Sequence, residues 1–153
     1  EAGYDPTIVQ AEKMHLEDAL GKPVTLSRNR LLTSRDPEDY HHLIEAGIKE
    51  DFTMGYFDVS GFKLGTSRAV HWINPANQQV TPLLLHPVTI RDNSLSSKKH
   101  MGLDYEDAKR YAYSLIDSVK MNRGELFQHS TKHTKKNYIL IFSKSLTRNN
   151  LCK

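Results

Sequence analysis

The spacing of apolar residues along the chain predicts three helices. Asp5-Pro6 and Asp36-Pro37 each begin one, because Asp caps a helix and Pro fits its first turn. The third and clearest helix begins after Asp104, with Asp107 completing a box-like cap and Gly124 ending the pattern. Its apolar residues recur at helical spacing at Ala108, Tyr111, Ala112, Leu115, Ile116 and Val119.

Shorter apolar stretches between and after these helices predict strands. The stretch from Leu83 to Ile90 is almost continuously apolar, as expected of a strand buried on both faces. Ala69 to Ile90 as a whole reads as a hairpin-like insertion. Because strands and helices alternate, the order favours parallel strands with helices packed outside them. The predicted strands cover residues 24–26, 52–58, 69–73, 83–90 and 125–128.

Length and composition indicate one globular α/β domain outside the membrane. The chain has 153 residues, of which 38% are hydrophobic and 25% charged, as in ordinary globular proteins. No apolar run approaches the roughly 20 residues of a membrane-spanning helix. Cys152 is the single cysteine, so neither an internal disulfide nor a cysteine-based zinc site can form. We therefore expect a cytoplasmic protein and, because the sequence starts at Glu1, a piece of a longer one.

The run from Ile44 to Thr66 carries the most specific pattern in the chain. It reads I-E-A-G-I-K-E-D-F-T-M-G-Y-F-D-V-S-G-F-K-L-G-T. This resembles the bacterial polysaccharide deacetylase-like family, in which AGI-x-x-D-[FY]-[ST]-M-G-[FY] is followed by GF-R-x-GT. The resemblance implies a partial (β/α) barrel, to which residues 1–128 contribute the later strands and helices. Residues 129–153 then form an atypical C-terminal tail.

The resemblance also implies the catalytic residues. Chemistry in such barrels lies at the carboxyl ends of the strands. Lys63 stands where the family has the Arg of GF-R-x-GT, and it keeps the charge without the planar fork. Asp92 begins a D-x-[ST]-L element and is expected to orient a catalytic His or bind a sugar hydroxyl, with an Asx-turn as the alternative. His129 is the candidate for the general acid that protonates the departing amine, although it arrives two positions early.

Three further residues are expected to bind substrate. Arg28 and Arg30 lie in a segment similar to the family's SR-x-H element, with Arg30 in place of the His. Two surface arginines are the alternative interpretation. His86 precedes a Pro, where a core histidine with satisfied hydrogen bonds is more common than a ligand-binding one. We include His86 as a substrate-binding candidate beside that alternative.

The tail differs from the remainder of the chain in charge. Residues 129–153 contain five lysines, one arginine and no acidic residue. A solvated tail, a contact for nucleic acid or another anionic surface, and a sequence foreign to the family all fit this composition. His129-Ser-Thr-Lys-His133 matches the zinc motif H-[ST]-x-x-H, but it follows the GF-K-x-GT element instead of preceding it. We expect no metal site there.

These observations predict a fragment of a carbohydrate deacetylase-like protein, which hydrolyses N-acetyl groups in the intact family. Such relatives use a divalent metal such as zinc, but we expect no cofactor and no turnover in this fragment. A barrel remnant that binds carbohydrate without catalysis is one alternative, and nucleic-acid or anionic-surface binding by the tail is the second. The expected partners are a carbohydrate and, through an unpaired sheet edge, a second copy of the chain. No membrane partner is expected.

Overall fold

The computed structural model describes residues 5–29 and 32–130. These residues form a mixed α/β arrangement, which confirms the predicted fold class at that level. The helices are α1 (Pro6–Leu20), α2 (Glu38–Glu45), α3 (Asp92–Ser96) and α4 (Tyr105–Met121). The strands are β1 (Leu26–Ser27), β2 (Glu50–Asp51), β3 (Val70–Asn74), β4 (Gln79–Leu85), β5 (Val88–Arg91) and β6 (Phe127–His129).

The helix caps follow the sequence signals closely. The Asp5 carboxylate accepts a hydrogen bond from the Thr7 amide, and Gly21 ends α1 in the left-handed conformation with φ 64°. At α4, the Asp104 carboxylate accepts from the Asp107 amide at 2.9 Å. Helix α2 differs, because Pro37 takes the N-cap position and no side chain caps it. The three longer helices therefore lie where the apolar spacing predicted them.

The strands form two sheets. A four-stranded sheet has the order β1-β2-β4-β3, in which β1, β2 and β4 are parallel and β3 is antiparallel to β4. The antiparallel pair is the predicted hairpin. A second sheet contains β5 and β6 in parallel, and a bridge between Gly55 and Val88 links it to the chain after β2. No closed barrel is formed by the residues that the structure describes.

Two strand predictions were wrong in their boundaries. Residues 52–58 form no strand, and the strand found here is β2 at Glu50–Asp51. It stops there because the Thr53 amide donates to the Asp51 carboxylate instead of to a neighbouring strand. The apolar stretch 83–90 is two strands, because Pro87 has no amide hydrogen to donate to a sheet. The break between β4 and β5 separates the two sheets and leaves His86 at the junction.

Two apolar clusters hold the helices against the sheets. The first joins β5 to α3 and α4 through Ile90, Leu95, Ala108, Ala112, Leu115 and Ile116. The second joins α2 to the four-stranded sheet through Tyr40, Leu43, Ile48, Trp72, Leu83 and Leu85. Full burial of a leucine or isoleucine side chain contributes about 1.5–3 kcal/mol. Within the described residues, no helix has the length and apolar character needed to cross a membrane.

Candidate functional site

Several polar side chains follow the ends of parallel strands. Arg28 comes directly after β1, His86 after β4 and Asp92 after β5, while His129 is the last residue of β6. Parallel strands bring their carboxyl ends to one edge of a sheet. Arg91 of β5 is paired in register with His129 of β6, so the ends of these two strands lie side by side.

Four of these residues form a strand-end cluster: Arg28, Arg91, Asp92 and His129. Burial lowers the pKa of His129, and the positive charges of Arg28 and Arg91 lower it further, whereas Asp92 acts in the opposite direction. The imidazole Nδ1 is buried and has no hydrogen-bond partner among the described residues. The cluster therefore favours a neutral imidazole with a nitrogen not yet used in hydrogen bonding.

Contacts with Phe57 fix the position of the Arg91 side chain in the cluster. The Arg91 side chain is buried, and Nη1 donates a hydrogen bond to the Phe57 carbonyl oxygen. The guanidinium carbon lies 4.1 Å from the centroid of the Phe57 ring, which is a cation–π arrangement. Ser94 Oγ donates to the same carbonyl at 3.0 Å. Burial lowers the pKa of Arg91 and the neighbouring Asp92 opposes this, so the group keeps its charge at neutral pH.

Asp92 is buried at the start of α3. Its Oδ1 accepts a hydrogen bond from the Asn93 amide at 2.6 Å. This contact joins the carboxylate to the backbone directly after β5 and fixes it at the strand end. Both the catalytic interpretation and the turn interpretation of Asp92 are compatible with this position.

A cleft of about 320 Å³ opens beside the cluster. The aromatic rings of Phe52 and Phe127 form two of its walls, and their centroids lie 4.9 Å apart in an edge-to-face arrangement. Arg28 belongs both to the cluster and to the cleft. The cleft therefore combines apolar rings with a few polar groups. Its lining residues are Leu26, Ser27, Arg28, Phe52, Val88, Phe127 and Gln128.

His86 lies behind these aromatic walls. Its Nε2 is 2.8 Å from a Glu50 carboxylate oxygen, and its Nδ1 is 2.9 Å from a Glu125 carboxylate oxygen. The His86 ring is stacked on the Phe52 ring with centroids 4.3 Å apart and planes 7° apart. Both ring nitrogens thus face protein groups, and the role of His86 in substrate binding stays a prediction.

Lys63 and Arg30 complete the set of predicted site residues. The exposed Lys63 places Nζ 3.3 Å from the Gly55 carbonyl oxygen, a partner on the loop after β2. Arg30 lies outside the described residues, as does His133 of the H-[ST]-x-x-H pattern. The structure therefore brings together Arg28, Asp92 and His129 from the predicted set.

The sequence analysis assigned no site role to Arg91, Glu50, Asp51 and Glu125. Asp51 is fully buried, and its carboxylate accepts from the Thr53 amide and the Thr53 hydroxyl, each at 2.9 Å. Burial raises the pKa of Asp51, while these hydrogen bonds oppose the rise. The available signal was position: Arg91 precedes Asp92 at a strand end, and Asp51 is the Asp of the AGI-x-x-D run.

The zinc implied by the family resemblance does not fit the described part of the chain. Across residues 5–29 and 32–130, no group of three or more His, Cys, Asp or Glu side chains is arranged to hold a metal ion.

Comparison with known proteins gives no matching family model, no matching curated protein and no matching solved structure.

Proposed function

We propose that this chain is the later part of a polysaccharide deacetylase-like (β/α) barrel and that its cleft binds an N-acetylated carbohydrate. The observation that carries the proposal is the convergence of Arg28, Asp92 and His129 beside an aromatic-walled cleft. The resemblance of the sequence implied a catalytic role for Asp92 and His129 and a substrate-binding role for Arg28. The Ile44–Thr66 run supplies the family assignment.

The chemistry of the cleft suits a sugar ring. A pyranose has apolar C–H faces and hydroxyl edges, so it binds well where aromatic rings stand beside a few polar groups. Phe52 and Phe127 offer the apolar surface, and Arg28 and Gln128 offer donors and an acceptor for hydroxyl groups. An acetamido group adds one N–H donor and one C=O acceptor, which the same side chains can pair.

In the proposed reaction, water attacks the acetamide carbonyl and the C–N bond breaks to release acetate and an amine. His129 is the candidate for the general acid that gives its proton to the leaving amine. Asp92 acts on His129 through its negative charge, which favours the imidazolium that donates this proton. Lys63 adds a cation on the loop after β2, without a contact that joins it to the cluster.

We expect carbohydrate binding without acetate release from this chain by itself. In the family, an Asp-Asp pair and a His-x-x-x-His pair that activate the water precede the GF-R-x-GT element. Neither pattern occurs before Gly61 in this sequence.

The test is titration of the labelled full chain with an N-acetylchito-oligosaccharide, followed by NMR. We expect shift changes at Arg28, Phe127 and His129. Arg28→Gln should weaken binding roughly tenfold, as expected when a charged hydrogen bond is lost. The exposed Arg110, which pairs with Asp107 on α4, offers the matched control Arg110→Gln. Saturating ligand without shift changes in the cleft would disprove the proposal.

A further inference from the structure

His86 is a buried histidine whose two ring nitrogens each lie within hydrogen-bond distance of a glutamate carboxylate. Its side chain is 7% exposed, whereas those of its partners Glu50 and Glu125 are 41% and 48% exposed. Glu50 belongs to β2 of the four-stranded sheet, and Glu125 precedes β6 of the other sheet. His86 therefore links β2 to the segment that leads into β6.

The two contacts point to a charged ring, provided that both carboxylates are ionised. An ionised carboxylate can only accept hydrogen bonds, so each of the two ring nitrogens must carry a hydrogen to make both contacts. An imidazole with two N–H groups is the imidazolium cation. The two distances of 2.8 and 2.9 Å are those of charge-assisted hydrogen bonds.

The His86 ring also contacts both aromatic walls of the cleft. It is parallel to the Phe52 ring with centroids 4.3 Å apart, so a charged imidazole would lie over the negative face of that ring. Its centroid lies 5.3 Å from the Phe127 centroid, with the planes 79° apart. The two rings in turn contact each other, so His86, Phe52 and Phe127 form one packed unit.

We propose that His86 is a positioning residue for the cleft, held as an imidazolium by two carboxylates. In that role it fixes the rings of Phe52 and Phe127 in the orientation that receives a sugar ring. Only the identity of the ligand, a sugar, rests on the proposed carbohydrate function. The charge of His86 and its positioning of the two rings are independent of that function.

Asp51 of β2 is a further titratable group near His86. It interacts electrostatically with His86, and its carbonyl oxygen accepts a hydrogen bond from the His86 amide at 2.8 Å. With Asp51 buried, the two partly exposed glutamates are the groups that bind the ring nitrogens directly. Removing the charge of one glutamate should thus make protonation of the His86 ring less favourable without leaving a cavity in the core.

The first measurement is the nitrogen spectrum of the His86 ring in the full chain at neutral pH. We expect two protonated ring nitrogens that exchange slowly with water. Glu125→Gln keeps the shape and an acceptor but removes one charge, and it should shift the ring toward the neutral form. Glu45→Gln on the exposed end of α2 is the matched control and should leave the spectrum unchanged.

The second measurement monitors the NMR signals of the Phe52 and Phe127 rings. His86→Phe keeps a planar ring but removes the charge and both hydrogen bonds, and the exposed His71 offers the matched control His71→Phe. We expect His86→Phe and Glu125→Gln to change the aromatic signals of Phe52 and Phe127. Affinity for the N-acetylchito-oligosaccharide should fall roughly tenfold, the ratio that about 1.4 kcal/mol corresponds to.

The outcomes separate the two proposals. A single protonated nitrogen in the unmodified protein, or unchanged wall signals in both variants, overturns the positioning role whether or not carbohydrate binds. A doubly protonated ring with altered wall signals supports it even if the oligosaccharide fails to bind, in which case only the carbohydrate function is lost. If His86→Phe does not fold, Glu125→Gln decides the result alone.

Discussion

Replacing Gly124 by Ala is expected to destabilise the protein by close contact with the loop that precedes β3. A Cβ atom at this position would lie 1.9 Å from Ser67 Oγ, 2.6 Å from its Cβ and 2.8 Å from its carbonyl oxygen. The same carbonyl accepts the Glu125 amide at 2.7 Å. The backbone must therefore shift as well as the side chain, and we expect a loss near the upper end of the ~1–3 kcal/mol typical of overpacking.

The assay is denaturant unfolding of the Gly124→Ala protein beside two comparison proteins. Gly65→Ala meets open space but needs a φ of 68°, so its expected cost of about 1 kcal/mol comes from backbone conformation alone. Combining Gly124→Ala with Ser67→Gly removes the two closest contacts and leaves the carbonyl one. The double-mutant cycle should give a favourable coupling of about 1 kcal/mol. If Gly124→Ala costs no more than Gly65→Ala and the coupling is zero, the steric reasoning is refuted.

Three further predictions concern the core, the cluster and the sheet edge. Ile90→Ala should lower the free energy of unfolding by about 2–5 kcal/mol because Ile90 is fully buried. Ile73→Ala, at an exposed position, should change it by no more than about 0.5 kcal/mol. Equal losses for the two variants in denaturant unfolding would contradict this prediction. The pKa of His129 is lowered in the folded state, so the free energy of unfolding should fall as the pH drops from the ordinary histidine pKa of 6.5 through the pKa of the folded protein. The fall should be smaller in His129→Gln. Equal pH dependence of the melting temperature in the two proteins would argue against the cluster. The exposed Leu26 lies on β1, whose outer edge has no strand partner among the described residues. We therefore expect concentration-dependent self-association in sedimentation experiments, and Leu26→Lys should reduce it. A wild-type monomer at all concentrations would contradict this prediction.

The elements that the sequence predicted well are those that depend on neighbouring residues. Asp5 and Asp104 cap the helices that follow them because a carboxylate two or three residues away reaches the free amides of the first turn. The period of the apolar residues in α4 matches the face that packs on β5, since a helix repeats every 3.6 residues. These signals need no knowledge of the remaining fold.

The strand boundaries depended on contacts that apolar patterns do not contain. The Thr53 amide bonds to the side chain of Asp51, which ends β2 where an alternating pattern continues. Hydrophobicity also continues through Pro87, although the missing amide hydrogen breaks the sheet there. A short apolar run therefore indicates a buried segment, and the hydrogen-bonding groups within it decide where the strand stops.

The site was predictable only in part for a related reason. Arg28, Asp92 and His129 could be assigned because each comes at a strand end, and parallel strands bring those ends together. The partners of His86 lie 36 and 39 residues away along the chain, and no local pattern connects them. Contacts of this kind are fixed by how the two sheets meet at the junction between β4 and β5.

The charges around His129 give the proposed reaction an order of events. In the free protein burial lowers the pKa of the imidazole and the charges of Arg28 and Arg91 lower it further, so the neutral His129 is a poor proton donor. Attack of water on an acetamide creates negative charge on the carbonyl oxygen. If that oxygen develops within reach of Arg28, it offsets the arginine charge that opposes the imidazolium. The imidazole then gains affinity for a proton at the stage when the amine must leave. Arg28 would thus stabilise the transition state, and together with burial and Arg91 it would delay protonation of His129 until the substrate reacts.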